Sequence, residues 1–147
     1  MSLKETLLQD MKTAMKEKDD ITKDTIQMVR AAVLQIEKDK KVSLDDDGVI
    51  EVIAKEIKSK KDALPDFERS GRQDLIDKLN KEINILLKYL PEQLSENEIE
   101  EIVKSAIKET GASSARDIGK VMQAVLPKVK GRADGKIVNQ IARKFLQ

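Results

Sequence analysis

Apolar residues recur along this chain at spacings of three and four, and no stretch alternates as a half-buried strand would. Leu3, Leu7, Leu8, Met11, Ala14 and Met15 share one face and predict a helix over residues 3–18, closed by the polar run Glu17-Lys18-Asp19-Asp20. Ile26, Val29, Val33 and Ile36 predict a second helix that starts near Thr22 and fades at Lys38-Asp39-Lys40-Lys41. Ser43 is the expected cap of a third, with Asp45, Asp46 and Asp47 near its positive N-terminal end. Its inward stripe reads Ile50, Ile53, Ile57, Leu64 and Phe67, and Pro65 is expected to kink or break it. After a turn at Ser70-Gly71, the repeat Leu75, Ile76, Leu79, Ile83, Leu86, Leu87 and Leu90 predicts a fourth helix over residues 73–89.

That repeat runs into Pro91, which has no N–H and biases Leu90 away from helical angles. Four residues later Ser95-Glu96-Asn97-Glu98 has the form of a capping box, in which the Ser95 hydroxyl accepts from the Glu98 N–H and the Glu98 carboxylate from the Ser95 N–H. One helix stops and the next starts within this joint. It divides the expected organisation into a long-helix part, residues 1–92, and a compact part, residues 93–147. In the second part Ile99, Ile102, Val103, Ala106 and Ile107 mark a fifth helix, ended by Gly111 as a left-handed cap. Ser114-Ala115-Arg116-Asp117 opens a sixth with Ile118, Val121, Met122, Val125 and Leu126 inward, and Pro127 is expected to close it. Asp134 caps a last helix carrying Ile137, Val138, Ile141 and Phe145 inward. The reading is all-α: a multihelical chain of two helical subdomains, about four helices and then three.

Composition narrows the chemistry. The 147 residues hold no cysteine and no histidine, which removes thiol nucleophiles, disulfides, thiolate metal sites and the commonest general base. No signal peptide or membrane-crossing apolar run is visible, so a cytoplasmic protein without membrane, metal or cofactor is the default expectation. The net charge of +1 hides a gradient: residues 1–94 carry −2, residues 95–110 carry −3, and residues 111–147 carry +6. Lys120, Lys128, Lys130, Arg132, Lys136, Arg143 and Lys144 fall within 25 residues, with Asp134 the only acid among them. Confined to one segment, such an excess suits a phosphate partner better than an ordinary solvated face, which is the plain alternative. Gly131, Gly135 and the start of the last helix would let backbone N–H groups approach a phosphate. With only Phe67, Tyr89 and Phe145 as aromatics, the chain lacks platforms for stacking loose bases, so a nucleic-acid partner would be a folded RNA read by its backbone.

Other clusters carry less. Asp45-Asp46-Asp47-Gly48 with Glu51 misses the register of a calcium loop and reads as an acidic helix start. Carboxylate pairs such as Glu100 and Glu101, or Asp74 and Asp77, read as solvent-facing helix residues. Ser113 and Ser114 have no histidine for a triad; a Ser–Lys dyad stays open, although capping explains Ser114. Gly119, inside a helix at a cost of about 1 kcal/mol against alanine, suggests close helix–helix approach.

Several stretches together resemble a GatB/YqeY-type protein: Tyr89-Leu90-Pro91-Glu92-Gln93-Leu94-Ser95, Gly111-Ala112-Ser113-Ser114, Gly119-Lys120-Val121-Met122 and Pro127-Lys128-Val129-Lys130-Gly131-Arg132-Ala133-Asp134-Gly135. The similarity extends upstream through Arg69-Ser70-Gly71-Arg72-Gln73-Asp74-Leu75 to the first helix. The resemblance implies an all-helical fold of two subdomains. Similar domains form the tail of the B subunit of the glutamine-dependent aminoacyl-tRNA amidotransferase, a carbon–nitrogen ligase, where they help hold tRNA. By that resemblance Lys120, Lys130 and Arg132 are candidates for tRNA contact, whereas the ligase chemistry resides in domains this sequence does not contain. The expected function is a non-catalytic tRNA-binding accessory protein, with an amidotransferase or aminoacyl-tRNA synthetase as protein partner. The alternatives are a protein–protein interaction module and a small amidotransferase-like subunit with its own activity.

Overall fold

Side-chain caps start five of the seven α-helices. In the computed structural model, which describes all 147 residues, Ser2 and Glu5 form a capping box that opens α1, Leu3–Lys16. Asp19 accepts from the Thr22 N–H to open α2, Asp20–Lys40. Asp45, not Ser43, caps α3, Asp46–Ser70, through the Gly48 N–H at 2.9 Å. Ser43 is drawn away because its hydroxyl accepts from Lys4 Nζ at 3.2 Å. Helix α4, Gln73–Leu87, begins after the left-handed Gly71 without a side-chain cap. The Ser95 box has both its bonds, each 3.2 Å, and opens α5, Glu96–Thr110, which ends on the left-handed Gly111. A 3-10 turn at Ala115–Asp117 leads into α6, Ile118–Val129, and Asp134 caps α7, Gly135–Phe145. The fold is all-α and has no strand, as the periodicity predicts.

Neither Pro65 nor Pro127 ends its helix. Each removes one backbone donor, and each lies on an exposed turn where water can satisfy the freed carbonyl. Beyond Pro127, Val129 is 1% exposed, and its burial holds the last turn of α6 in place.

The chain forms two compact units, Met1–Leu90 and Pro91–Gln147. In the first, α1 packs on α2, α3 on α4, and α2 on both α3 and α4. Leu7, Ile26, Val29, Val49, Ile53 and Leu86 are fully buried there. The buried seam of α3 is Val49, Val52, Ile53, Ile57 and Lys60, rotated from the predicted stripe, and Lys60 stands at a core position. Its Nζ lies 2.5 Å from Glu82 Oε2 of α4, with the two side chains 10% and 12% exposed. Tyr89, after α4, donates its hydroxyl to Asp10 Oδ2 of α1 at 2.6 Å. Burial, reinforced by that carboxylate, pushes the Tyr89 phenol above its ordinary pKa and keeps it a donor.

In the second unit α5, α6 and α7 pack pairwise around Val103, Ala106, Val121, Val125, Val138 and Ala142. The seam of α6 steps by four through Val121, Val125 and Val129, so Leu126 sits one residue off it and is exposed. Ile137 and Phe145, also read as inward, are exposed too, and Lys104 Nζ lies 5.3 Å above the Phe145 ring. Replacing Ser95 by alanine is expected to cost about 1 kcal/mol, since two helix-start donors lose their partner arrangement. Chemical denaturation followed by helix content checks it; an unshifted curve would show that the box does not stabilise α5.

Candidate nucleic-acid interface

The connection between α6 and α7 is five residues long, and it gathers part of the basic segment. The Arg132 and Ala133 N–H groups both donate to the Val129 carbonyl, so the chain turns tightly after α6. Lys128 and Lys130 therefore flank one side of the turn, Arg132 lies within it, and Lys136 stands in the first turn of α7. Lys120 is eight residues before Lys128 on α6, about 12 Å along the axis. Arg143 and Lys144 occupy the last turn of α7, about 10–12 Å along from Lys136. The seven sequence candidates thus separate into a group of four at the turn and three outlying cations.

The four are not equivalent. Arg132 is the fastening of the segment after Pro91: its Nε donates to the Glu92 carbonyl at 3.3 Å, and its own carbonyl accepts from the Leu94 N–H at 2.8 Å. The Gln93 side chain adds a bond to the Gly131 carbonyl at 2.8 Å. Lys128 pairs with Glu109 of α5 at 3.6 Å, both side chains well exposed. A pair of that kind is worth at most about 1 kcal/mol and is readily exchanged for a phosphate. Lys130 and Lys136 are exposed at the two edges of the turn.

Two expectations drawn from glycines change. The start of α7 already has its anion, because the Asp134 carboxylate accepts from the Lys136 N–H at 2.9 Å. Gly119 has open space where a Cβ would stand, so no neighbouring helix requires it. It leaves bare backbone on the exposed face of α6, beside Lys120. The Ser114 hydroxyl accepts from the Arg116 N–H at 3.4 Å and starts the 3-10 turn. Asp45 and Asp46 serve as the α3 cap and as acceptor for the Leu3 N–H at 2.9 Å, which explains the acidic run as helix-start chemistry.

Carboxylates set the acid limit of the fold. The Ser113 N–H, helped by the Ser114 N–H and the Lys120 charge, holds the Asp117 carboxyl below its ordinary pKa. Lys4 and then the Leu44 N–H do the same for Glu37, and the Thr22 hydroxyl and N–H for Asp19. All three folded values lie below the unfolded ones. Their stabilisation is therefore complete above the ordinary carboxylate pKa of about 4 and is lost as pH falls through the lowered folded values. Melting temperature is expected to be flat at neutral pH and to fall below about pH 4, less steeply in Asp117→Asn; a flat acid profile would contradict these assignments.

The family described as Yqey-like protein matches residues 4–146. Curated relatives are named "Altered inheritance of mitochondria protein 41, mitochondrial". The one from Pyrenophora tritici-repentis is 34% identical over 128 residues, covering 84% of this chain and 69% of its own length. That from Kluyveromyces lactis is 39% identical over 84 residues, covering 56% and 45%, and that from Lachancea thermotolerans 32% identical over 111 residues, covering 74% and 59%. The chain spans about half the length of these last two. All three are mitochondrial by name, which overturns the cytoplasmic expectation. That expectation rested on the lack of an apolar leader, and mitochondrial leaders are amphipathic and basic instead.

Proposed function

Because the chain belongs to the Yqey-like family, we propose that it is a non-catalytic accessory protein whose second unit binds tRNA through the phosphate backbone. The observation that carries this reading is the group Lys128, Lys130, Arg132 and Lys136 around the tight α6–α7 turn. Helix ends carry Lys128 and Lys136, and the tight turn between them carries Lys130 and Arg132. Arg132 is already fastened by its bonds to the segment after Pro91, so its guanidinium needs little further ordering when a phosphate arrives. Lys120 and the bare backbone at Gly119 extend the surface along α6, where a sugar–phosphate chain meets no Cβ. Scarce aromatics favour a folded RNA over a loose strand. An amidotransferase or aminoacyl-tRNA synthetase is the assembly such a tRNA-holding unit would serve.

The test is recovery of the protein from its own cells, with and without ribonuclease, followed by sequencing of the copurifying RNA. Enrichment of tRNA that is lost from the Lys128→Ala/Lys130→Ala/Lys136→Ala variant is the expected result. Recovery free of RNA, or RNA held equally by the variant, would contradict it.

A further inference from the structure

In the first unit, α1 and α2 leave a groove lined by Lys4, Leu7, Leu8, Arg30, Val33 and Leu34. Its volume, about 190 Å³, falls below the roughly 300 Å³ at which small-molecule sites begin. It is large enough for inserted side chains and too small for a nucleotide or an organic cofactor. The rim is apolar and open. Leu34 is 61% exposed, and Met15, seven residues from Leu8 on α1, is 56% exposed. Two large aliphatic side chains in water, beside a groove with an apolar floor, make a surface that folding alone does not use.

The charge around that floor is net positive, with Lys4, Lys12, Arg30 and Lys38 set against Glu5 and Glu37. Arg30 is partly buried, yet its guanidinium meets only Met11 Sδ, at 3.6 Å, and no carboxylate. Lys12 lies four residues from Leu8 and Lys38 four from Leu34, each on the same helix face as its leucine, and neither is ion-paired. Lys4 is already matched by Glu37. Glu5, the one acid in the lining, is engaged with the Ser2 N–H in the α1 capping box.

We propose that this groove docks an amphipathic helix of a partner protein, with aliphatic anchors in the Leu8–Leu34 groove and a carboxylate on Arg30. Complementarity selects the occupant. An acidic-flanked helix supplies the charge that Arg30, Lys12 and Lys38 lack, and its i, i+3 and i+7 side chains match a groove between two helices. A second copy of this chain would bring the same three cations against one another. RNA would have to desolvate phosphates over leucine and methionine, with no aromatic present to stack a base. The groove belongs wholly to the first unit, so its failure would leave the RNA reading of the second untouched.

The experiment uses the full chain and a fluorescein-labelled helical peptide of about 15 residues, with leucines at i, i+3 and i+7 and glutamates flanking them. A second peptide carries lysines in place of the glutamates. The expected result is saturable anisotropy with a dissociation constant below about 1 mM for the glutamate peptide, and weaker binding of the lysine peptide. Leu34→Ser should weaken the glutamate peptide about tenfold without moving the melting temperature. Arg30→Glu should reverse the preference, a charge-swap rescue that a purely structural arginine would not give. The proposal is overturned by absence of saturable binding, equal affinity for the two peptides, or parental affinity in Leu34→Ser. Self-association in sedimentation that Leu34→Ser abolishes would assign the groove to a second copy instead. Loss in Leu34→Ser of binding to phosphatidylserine vesicles would assign it to a membrane surface.

Discussion

Lys60→Met is expected to destabilise the Met1–Leu90 unit by about 3 kcal/mol. The substitution leaves the Glu82 carboxylate 12% exposed beside Ile83 and Leu86, without the ammonium that stood 2.5 Å away. An uncompensated charge in such a place costs several kcal/mol, and the value here sits at the low end because both tips keep some access to water. The same physics predicts recovery: Lys60→Met combined with Glu82→Leu removes both desolvation penalties and should return most of the loss. Urea denaturation of parent, single and double variants measures this. A single variant as stable as the parent would show that the pair is solvated rather than part of the core.

The second large effect concerns the α6–α7 turn. Each lysine that meets a phosphate releases condensed counterions, contributing about −0.7 to −0.9 to the log–log slope of affinity against salt. Replacing Lys128, Lys130 and Lys136 together by alanine is expected to flatten that slope by about 2 and to weaken tRNA binding about 100-fold near 0.1 M salt. Arg132 is kept in this variant because it fastens the Glu92 carbonyl, and its loss would mix folding with binding. Exposed charges contribute within about 0.5 kcal/mol each to stability, so the variant's melting temperature should stay close to the parent's. A variant that binds like the parent would remove the turn from the RNA surface.

Helical periodicity and local cap chemistry were legible because both are set within a few residues. The Ser95 box, the Gly111 end and the Asp134 cap all follow from neighbours in sequence. What the sequence hid depends on partners far along the chain. Ser43 looked like a cap until Lys4, 39 positions away, claimed its hydroxyl. Tyr89 and Asp10 are 79 positions apart, and nothing local connects them. Lys60 had a visible signal, since it falls three residues after Ile57 and seven after Ile53 on the apolar stripe, but only the fold supplies Glu82 opposite it. Pro127 misled for a related reason: its local cost is outweighed by the burial of Val129 beyond it. At the site, the excess of cations was plain in the sequence. Their division into four at the turn and three farther along the helices needed the tight bonds to Val129. The groove at Leu34 and Arg30 had no sequence signal, because an exposed leucine on a helix reads as an imperfect stripe.

The most direct measurement is a titration of labelled tRNA with the full chain at several salt concentrations, with poly-uridine as competitor. Four phosphate contacts should give a log–log slope of about −3, with folded tRNA outcompeting poly-uridine. Affinity that ignores salt, or poly-uridine competing as well as tRNA, would contradict it.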